Sequence, residues 1–333
     1  MTTVQLNSPV NILVVLGLTL PDISDEQIQM IQAAAPAGST VTVVASVRDA
    51  VTKAAELKVD VILGMITEKL YAVTPALRWL HGTASGVDSF LFPAFRDSDV
   101  ALTGEKGLVG GHLADTGFGL LLALTRQIKT AFRLGPDGWN HREEMRRKEV
   151  ELEGLTMGVV GFGGTGRGMA QRATAFGMKV VATDPYPGTP DHGVQEIWPS
   201  HRLSDLLAVA DVVAVCCPLA PETRNLLDAK AFAAMKPGAI VVNVTRGEVI
   251  DGDALVAALQ SGHLGGAALD VAPLEPLPAD HPLWSFDNVA MTPHTAGASQ
   301  HRARRGIERF CRNLAHAQAN EPFEGAIDKQ LGF

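Results

Sequence analysis

Cysteine is scarce in this chain of 333 residues, which has only Cys216, Cys217 and Cys311. An odd and sparse set, with two members adjacent, fits neither a disulfide framework nor a C-x-x-C metal site. We therefore expect the reducing environment of the cytoplasm. The ten histidines contain no H-x-x-x-H pair, so no metal site is predicted.

Positive charge is also in deficit, with 28 Lys and Arg against 36 Asp and Glu, and the net charge is −8. A chain of this charge repels phosphate backbones and anionic lipids, so neither nucleic acid nor a membrane is expected as a partner. Long apolar runs are missing as well. The first apolar run, residues 10–20, is too short to span a bilayer and lacks the cationic start of a secretory signal.

Short runs of Val, Ile and Leu recur along the chain, and segments with helical spacing separate them. The runs are Asn11–Leu16, Thr40–Ala45, Val59–Leu63 and Trp79–Thr83, and then Met157–Gly161, Lys179–Thr183, Asp211–Cys216, Ala239–Val244, Gly266–Asp270 and Asn288–Thr292. Nearly continuous apolar strands that alternate with helices predict parallel sheets covered on both faces. The sequence thus predicts an α/β protein with two doubly wound domains. A long helix is predicted over residues 110–134, and a C-terminal one over residues 301–319.

A glycine-rich segment, GVVGFGGTG, leads from an apolar run into a potential helix and ends at Gly166. In this G-x-G-x-x-G pattern Gly161 permits a tight turn, Gly163 lets backbone approach a pyrophosphate, and Gly166 lets helix and strand pack closely. The next strand ends at Asp184, whose carboxylate would accept hydrogen bonds from ribose hydroxyls. Because it would repel a 2′-phosphate, and the following Pro-Tyr-Pro supplies no cation, the sequence predicts NAD rather than NADP.

Three further polar side chains, Arg246, Glu275 and His294, follow predicted strands of the second series. Strand ends in such a sheet converge on one crevice, so we expect these groups to be close together. Arginine offers a rigid fork for a carboxylate, and histidine can deliver the proton that accompanies hydride addition to a ketone. A carboxylate beside the histidine favours the imidazolium and fixes its tautomer. Asp270 ends another strand at this edge, where it either holds a nicotinamide carboxamide or caps the strand.

Taken together, these residues resemble the D-isomer-specific 2-hydroxyacid dehydrogenase family over nearly the whole chain. The stretches that carry the resemblance are, in order, Ala84-Ser-Gly-Val-Asp88, Leu113-Ala-Asp-Thr with Leu120-Leu-Leu-Ala-Leu, Gly158 to Gly166, Cys217-Pro-Leu with Glu222-Thr223, Val242-Asn-Val-Thr-Arg-Gly247 and Thr292-Pro-His294. The resemblance implies that Arg246 orients the substrate, that His294 is the acid/base and that Glu275 is its partner. It also implies that backbone N–H groups of Ser85 and Gly86 hold the substrate carboxylate.

The cofactor contacts that the resemblance implies are Gly161, Gly163, Gly164, Thr165, Gly166, Asp184, Pro218, Thr223, Thr245, Asp270, His294 and Gly297. One departure is visible, because family members often carry arginine and isoleucine where this chain has Gly164 and Thr165. A side-chain contact to the pyrophosphate is thereby lost, and Arg167 is a candidate to replace it.

The resemblance further implies a smaller, flavodoxin-like substrate domain of residues 1–103 plus 296–333 and a Rossmann NAD-binding domain of residues 104–295. Catalysis is expected in the cleft between them. The long helix and Trp139 resemble the dimerisation arm of the family, so we expect a homodimer. Trp139 would reach the partner's cleft or, alternatively, lie in its own core.

Comparison with other members of the family that this chain resembles narrows the class of substrate. Formate dehydrogenases have glutamine where this chain has Glu275, and phosphite dehydrogenases have lysine where it has Ser85. Phosphoglycerate dehydrogenases need basic side chains for the phosphate and usually carry an added regulatory domain, for which no residues remain here. Glyoxylate and hydroxypyruvate, reduced with NADH, are therefore preferred, with pyruvate-sized and aromatic 2-keto acids as alternatives. The expected pocket wall includes Met65, Ile66, Ser85 and a residue near Trp284.

A function of a different class remains open, because some relatives of these dehydrogenases act chiefly as NAD-sensing corepressors and keep the same catalytic groups. They carry long disordered flanks with regulatory sites. We expect no such flanks here, which favours the metabolic enzyme.

Overall fold

The computed structural model describes residues 3–333. Their strands are β1 (Asn11–Val15), β2 (Thr40–Val44), β3 (Val61–Gly64), β4 (Trp79–Gly82), β5 (Ala101–Thr103), β6 (Thr156–Val160), β7 (Lys179–Asp184), β8 (Val194–Pro199), β9 (Val212–Val215), β10 (Ile240–Asn243), β11 (Gly266–Leu269) and β12 (Val289–Met291). Their α-helices are α1 (Asp25–Ala34), α2 (Val47–Ala54), α3 (Glu68–Ala72), α4 (Pro93–Arg96), α5 (Gly110–Thr125), α6 (Ile128–Leu134), α7 (Arg142–Lys148), α8 (Gly164–Ala175), α9 (Leu203–Val209), α10 (Ala229–Ala234), α11 (Gly252–Gln260) and α12 (Arg302–Ala319).

The described chain forms two compact units. The first unit comprises the chain up to Val109 together with Ala298–Phe333, and the second unit comprises Gly110–Gly297. Each unit contains one parallel sheet, as predicted for a protein with two doubly wound domains.

The sheet of the first unit has the strand order β2-β1-β3-β4-β5, which is the order of flavodoxin-like folds. One face is covered by α12, which contributes Phe310 to the core. The ring of Trp79 on β4 lies 4.9 Å from that of Phe310 and 4.6 Å from that of Phe323. The C-terminal helix is therefore a structural part of the first unit, and it fixes the buried side of β4.

The sheet of the second unit has the order β12-β11-β10-β9-β6-β7-β8. Chain order runs outwards in both directions from β6, so the topological switch point lies between β6 and β9. Strands β6 and β9 are buried almost throughout, as expected for central strands covered on both faces. Ligands bind beyond the carboxyl ends of strands at such a point, so this edge is where the site is sought.

Three local predictions differ from the structure. The edge strand β8 was not predicted, because two consecutive exposed residues, Gln195 and Glu196, interrupt the apolar pattern. Strand β5 was not predicted either, because it has only three residues. The single helix expected over residues 110–134 is broken between α5 and α6, where Gln127 adopts φ +53° and its side-chain amide donates to the carbonyl of Leu124 at 3.1 Å.

Among the helices of residues 3–333, none combines the length and the apolar character that a bilayer crossing requires.

Candidate active site

The glycine turn between β6 and α8 is shaped by two close approaches of backbone. Gly161 has φ +91°, and a Cβ there would lie 2.7 Å from the backbone of Cys217. A Cβ on Gly166 would lie 2.2 Å from the carbonyl oxygen of Gly161. Around Gly163, by contrast, no atom of residues 3–333 outside its own chain neighbours lies within 4 Å of a Cβ position. The turn therefore leaves open space at the second glycine, where a pyrophosphate would approach the backbone.

The N-terminus of α8 faces the same space. Gly163 is its N-cap and makes no side-chain cap, and Gly164 and Thr165 begin the helix. The first N–H groups of a helix have no partner within it and favour an anion. Glycine at position 110 lets α5 pack closely here, since a Cβ there would lie 2.2 Å from the carbonyl oxygen of Gly164.

Arg167 contacts the glycine turn and also pairs with a carboxylate. Its Nε donates to Asp191 at 3.0 Å, and Nη1 donates to the carbonyl of Phe162 at 2.5 Å. The guanidinium also lies 4.7 Å from the centre of the Phe162 ring. Arg167 is thus engaged within the second unit, and its role at the pyrophosphate stays a prediction.

Asp184 ends β7 beside the turn, and both of its carboxylate oxygens are oriented by backbone. Oδ2 accepts from the N–H of Phe162 at 2.8 Å, and Oδ1 accepts from the N–H of Tyr186 at 2.9 Å. Each oxygen keeps a further lone pair, because a carboxylate offers about four acceptor sites. The half-buried carboxylate is therefore held in place with capacity left for ribose hydroxyls.

The loop that follows β9 brings Pro218 and Thr223 to this edge. The Thr223 hydroxyl donates to the carbonyl of Pro218 at 2.7 Å and accepts from the N–H of Ala220 at 2.8 Å, so it shapes the loop. Burial raises the pKa of the Cys217 thiol at the start of this loop to about 12. Cys217 is consequently a packing residue against the glycine turn and not a nucleophile.

Arg246 follows β10 and is half-buried. Its Nη1 donates to the carbonyl of Thr245 at 2.9 Å, and its own carbonyl accepts from the amide of Asn243 at 2.9 Å. Sequence reasoning did not single out Asn243, which is fully buried and also accepts from the N–H of Thr245 at 3.0 Å. A buried asparagine at a strand end is the signal that could have identified this turn.

Another close approach of backbone joins the Arg246 turn to the loop that carries Glu275. A Cβ on Gly247 would lie 1.6 Å from the carbonyl oxygen of Ala272, so only glycine allows the two backbones to meet. The N–H of Ala272 in turn donates to Oε1 of Glu275 at 3.0 Å. The turns after β10 and β11 are therefore packed against each other.

Glu275 and His294 form a hydrogen-bonded pair. The distance from His294 Nδ1 to Glu275 Oε2 is 2.7 Å, and the two side chains are 43% and 38% exposed. With Nδ1 taken up by the carboxylate, Nε2 is the ring nitrogen left to exchange a proton with a ligand. The arrangement can thus donate or accept a proton at a surface open to small molecules.

Asp270 organises the loop on which His294 lies. Its buried carboxylate accepts at Oδ1 from the Thr292 hydroxyl at 2.6 Å and the Thr295 N–H at 2.9 Å, and at Oδ2 from the Ala296 N–H at 2.9 Å. The backbone carbonyl of Asp270 accepts from His294 N–H at 2.7 Å. These bonds hold His294 at φ +53°, a left-handed conformation that side chains seldom adopt. The sequence analysis placed Thr292 in the motif of His294 but gave it no role.

Ser85 and Gly86, the expected substrate-carboxylate groups, lie in the first unit on the loop after β4. Ser85 is exposed and Gly86 is half-buried. Within residues 3–333, their backbone N–H groups donate to no other group of the protein. Two neighbouring N–H groups of this kind are suited to an anion.

The other residues named from the sequence have varied surroundings. Ile66 is buried in the core of the first unit, and Met65 packs against that core. Trp284 is 54% exposed, and its Nε1 donates to the carbonyl of Pro278 at 2.8 Å. Trp139 is 79% exposed, so it does not lie in the core of its own unit. Gly297 is the last residue of the second unit.

Within residues 3–333, no three or more His, Cys, Asp or Glu side chains are grouped as metal ligands.

Comparison with known proteins shows which family this chain is similar to. Residues 118–296 match the family of the D-isomer specific 2-hydroxyacid dehydrogenase, NAD binding domain. The (S)-sulfolactate dehydrogenase of Chromohalobacter salexigens is 37% identical over 70% of this chain and 75% of its own length. A glyoxylate reductase of Thermofilum pendens is 32% identical over 82% of each chain.

A solved structure extends this likeness to the whole fold. The D-isomer specific 2-hydroxyacid dehydrogenase of Xanthobacter autotrophicus Py2, in complex with NADPH and MES, has a TM-score of 0.77 at 28% identity and covers 98% of this chain and 100% of its own. The chain belongs to the D-isomer-specific 2-hydroxyacid dehydrogenase family, and the predicted fold class is confirmed. It is an NAD(P)-dependent oxidoreductase of this family.

Proposed function

We propose that this protein reduces a small 2-keto acid, glyoxylate or hydroxypyruvate, with NADH and forms glycolate or D-glycerate. The observation that carries the proposal is the 2.7 Å pair of His294 and Glu275 at the same sheet edge as the glycine turn. A proton donor is needed there only if a carbonyl oxygen becomes a hydroxyl, as in keto-acid reduction.

The proposed roles of the residues follow from their chemistry. His294 delivers the proton from Nε2 to the carbonyl oxygen while Glu275 holds Nδ1 and stabilises the imidazolium. Arg246 orients the substrate through its fork of N–H donors and polarises the carbonyl. Ser85 and Gly86 contribute backbone N–H groups to the substrate carboxylate.

The dinucleotide, when bound, supplies the hydride. The proposed contacts are the turn residues Gly161, Gly163, Gly164, Thr165 and Gly166, together with Asp184, Pro218, Thr223, Thr245, Asp270, His294 and Gly297. Among the groups of residues 3–333, Oδ2 of Asp270 accepts one N–H, so it keeps a site for the carboxamide.

The preference for NADH over NADPH rests on Asp184. Its oriented carboxylate accepts hydrogen bonds from ribose hydroxyls and repels a 2′-phosphate. Comparison of kcat/KM for NADH and NADPH tests this preference in the wild-type enzyme and in Asp184→Ser. We expect NADH to be favoured by the wild type and the ratio to fall in the variant. An NADPH preference in the wild type would contradict the proposal.

A cytoplasmic homodimer is the proposed assembly. It is supported by the exposed apolar side chains of α6 and the following turn, where Phe132 is 85% exposed and Trp139 is 79% exposed. Such groups are typical of a surface that another subunit covers. Sedimentation of the wild type and of Phe132→Asp tests the proposal. A wild type that is monomeric at assay concentrations would contradict it.

The substrate role is tested with Arg246→Ala. Loss of the fork should lower kcat/KM for glyoxylate by about a hundredfold or more, because a paired charge that binds a ligand is worth about 2–5 kcal/mol. The dissociation constant of NADH should change far less. Arg202→Ala, which removes a surface arginine paired with Asp205 in the same unit, is the matched control. Wild-type kinetics in Arg246→Ala would show that the assignment is wrong.

A further inference from the structure

A buried ion pair joins Glu105, just after β5, to Arg302, the first residue of α12. Arg302 Nε and Nη2 lie 2.8 and 2.6 Å from Oε2 of Glu105. The side chains are only 12% exposed for Arg302 and 2% exposed for Glu105. Both residues belong to the first unit.

Stability alone is a poor explanation for this pair. Burial raises the pKa of Glu105, and the Arg302 guanidinium opposes that rise. Removing two charges from water often costs as much as their attraction returns, so a buried pair is weak evidence of a stabilising role. The contacts of the Glu105–Arg302 pair with the neighbouring loop indicate another role.

Both members of the pair contact the loop after β4. Nη2 of Arg302 donates to the carbonyl of Thr83 at 3.2 Å. The N–H of Glu105 donates to the carbonyl of Ala84 at 3.4 Å. Two consecutive carbonyls of this loop thus accept hydrogen bonds from the pair. The carbonyl of Thr83 accepts from the Arg302 side chain, and the carbonyl of Ala84 accepts from the backbone N–H of Glu105.

These contacts determine where the next N–H group points. The carbonyl of Ala84 and the N–H of Ser85 belong to one trans peptide plane, in which they point in opposite directions. When Ala84 C=O points at Glu105, the N–H of Ser85 must point away from it. That N–H has no acceptor within residues 3–333 and is available to a ligand.

Helix α12 also makes room for the carboxylate. A Cβ on Gly306, one turn after Arg302, would lie 3.3 Å from Oε1 of Glu105. That distance is tighter than ordinary van der Waals contact, so a side chain at this position would press on the carboxylate. Helix α12, Gly306 and the Glu105–Arg302 ion pair therefore pack together next to the loop after β4.

We propose that Glu105 and Arg302 are positioning residues that aim the backbone N–H group of Ser85 at the substrate carboxylate. This inference rests on the proposed function, since it concerns the same substrate. Neither side chain needs to touch the substrate, because the effect passes through the peptide planes of the loop.

The test compares Arg302→Met with the wild type in three measurements: KM for glyoxylate, kcat, and the dissociation constant of NADH. Loosening a hydrogen bond to the substrate carboxylate should raise KM about tenfold. The NADH constant should stay within about twofold, because the nucleotide does not use this loop. The KM for glyoxylate of Arg302→Lys should lie between those of the wild type and Arg302→Met, since lysine keeps the charge but loses the fork of N–H donors.

The matched control is Arg312→Met on the same helix. Arg312 donates to both oxygens of Glu324 at 2.8 and 2.9 Å and, in the part of the chain that the structure describes, makes no hydrogen bond to the β4 loop. The Arg312→Met substitution should leave KM for glyoxylate unchanged. If Arg302→Met does not fold, Glu105→Gln, which keeps the side-chain shape, is measured in its place and should raise KM several-fold.

Two results would overturn the inference while leaving the proposed function intact. One is a folded Arg302→Met with wild-type KM, and the other is an equal rise in KM in Arg302→Met and Arg312→Met. If the wild-type protein reduces no 2-keto acid, the proposed function fails and the inference falls with it.

Discussion

Two histidines of this molecule have the same hydrogen-bond length at the same ring atom but opposite surroundings. In the first unit, Nδ1 of His81 lies 2.7 Å from the hydroxyl of Thr103, and the ring is fully buried. In the second unit, Nδ1 of His294 lies 2.7 Å from the carboxylate of Glu275, and the ring is exposed. Residue type and bond length are shared, whereas the charge of the partner and the access of water differ.

The difference shows that the environment decides which histidine can do proton chemistry. Burial, with a contribution from the cation Arg309, lowers the pKa of His81 to about 3. A ring of this kind stays neutral under physiological conditions and serves the core. His294 has an anion at Nδ1 and an open side, which is the arrangement that general acid catalysis requires.

The largest effect is expected from the two matched substitutions His294→Asn and His81→Asn. Asparagine tolerates the left-handed backbone at position 294, so folding should be retained. Loss of the proton donor should lower kcat for glyoxylate reduction by about 10²- to 10⁴-fold. His81→Asn should keep kcat within a few-fold. Equal losses in the two variants, measured at saturating NADH, would abolish the distinction between the histidines.

Glu275→Gln should have the next largest effect. The glutamine keeps the shape but loses a charge-assisted hydrogen bond worth about 1.5–3 kcal/mol. If that bond stabilises the imidazolium during proton transfer, kcat falls by about 10- to 100-fold. Steady-state rates at saturating glyoxylate and NADH measure this loss. An unchanged kcat would mean that the carboxylate has no part in the reaction.

The pH dependence of stability should reveal His81. Unfolding exposes the ring, which then binds a proton near pH 6.5, whereas the folded ring does so only near pH 3. Stability is therefore fully present above about pH 6.5 and is lost as the pH falls towards 3. Between pH 7 and 5 this loss is about 2 kcal/mol.

Urea unfolding at the two pH values checks the prediction in the wild type and in His81→Asn. The variant should lose less stability than the wild type over this interval, by about the same amount. Identical pH dependences in the two proteins would exclude His81 as the source.

The smallest effect is expected from the hydroxyl beside each histidine. Thr292→Val removes one of the three hydrogen bonds to the Asp270 carboxylate, which should loosen the His294 loop and lower kcat by a few-fold. Thr103→Val removes the partner of both His81 and Trp79 Nε1 and should lower the free energy of unfolding by about 1–3 kcal/mol with little change in kcat. Kinetics and urea unfolding of both variants separate the two outcomes.

Much of the fold was predictable because buried parallel strands have a strong apolar signal. Central strands such as β6 and β9 were found near their observed bounds, while the exposed edge strand β8 was not. The break at Gln127 has no glycine or proline to announce it, since a side-chain hydrogen bond supports the turn. Periodicity cannot reveal such local compensation.

The candidate site was predictable where one residue carries a distinctive chemistry, as with His294 and Arg246. The supporting contacts were not, because they join segments distant in sequence. The bond from Thr292 to Asp270 spans two strand ends, and the bond from Arg302 to Glu105 spans most of the chain. Hydrogen bonds of this range depend on topology, which a motif does not contain.

The most direct test of the central claim is the rate of NADH oxidation by the purified protein with glyoxylate, hydroxypyruvate, pyruvate and phenylpyruvate. We predict turnover with glyoxylate and hydroxypyruvate at a kcat/KM at least about tenfold above that for phenylpyruvate, since a small pocket discriminates by about 1–3 kcal/mol per methylene. No oxidation of NADH or NADPH with any of the four acids would contradict the account.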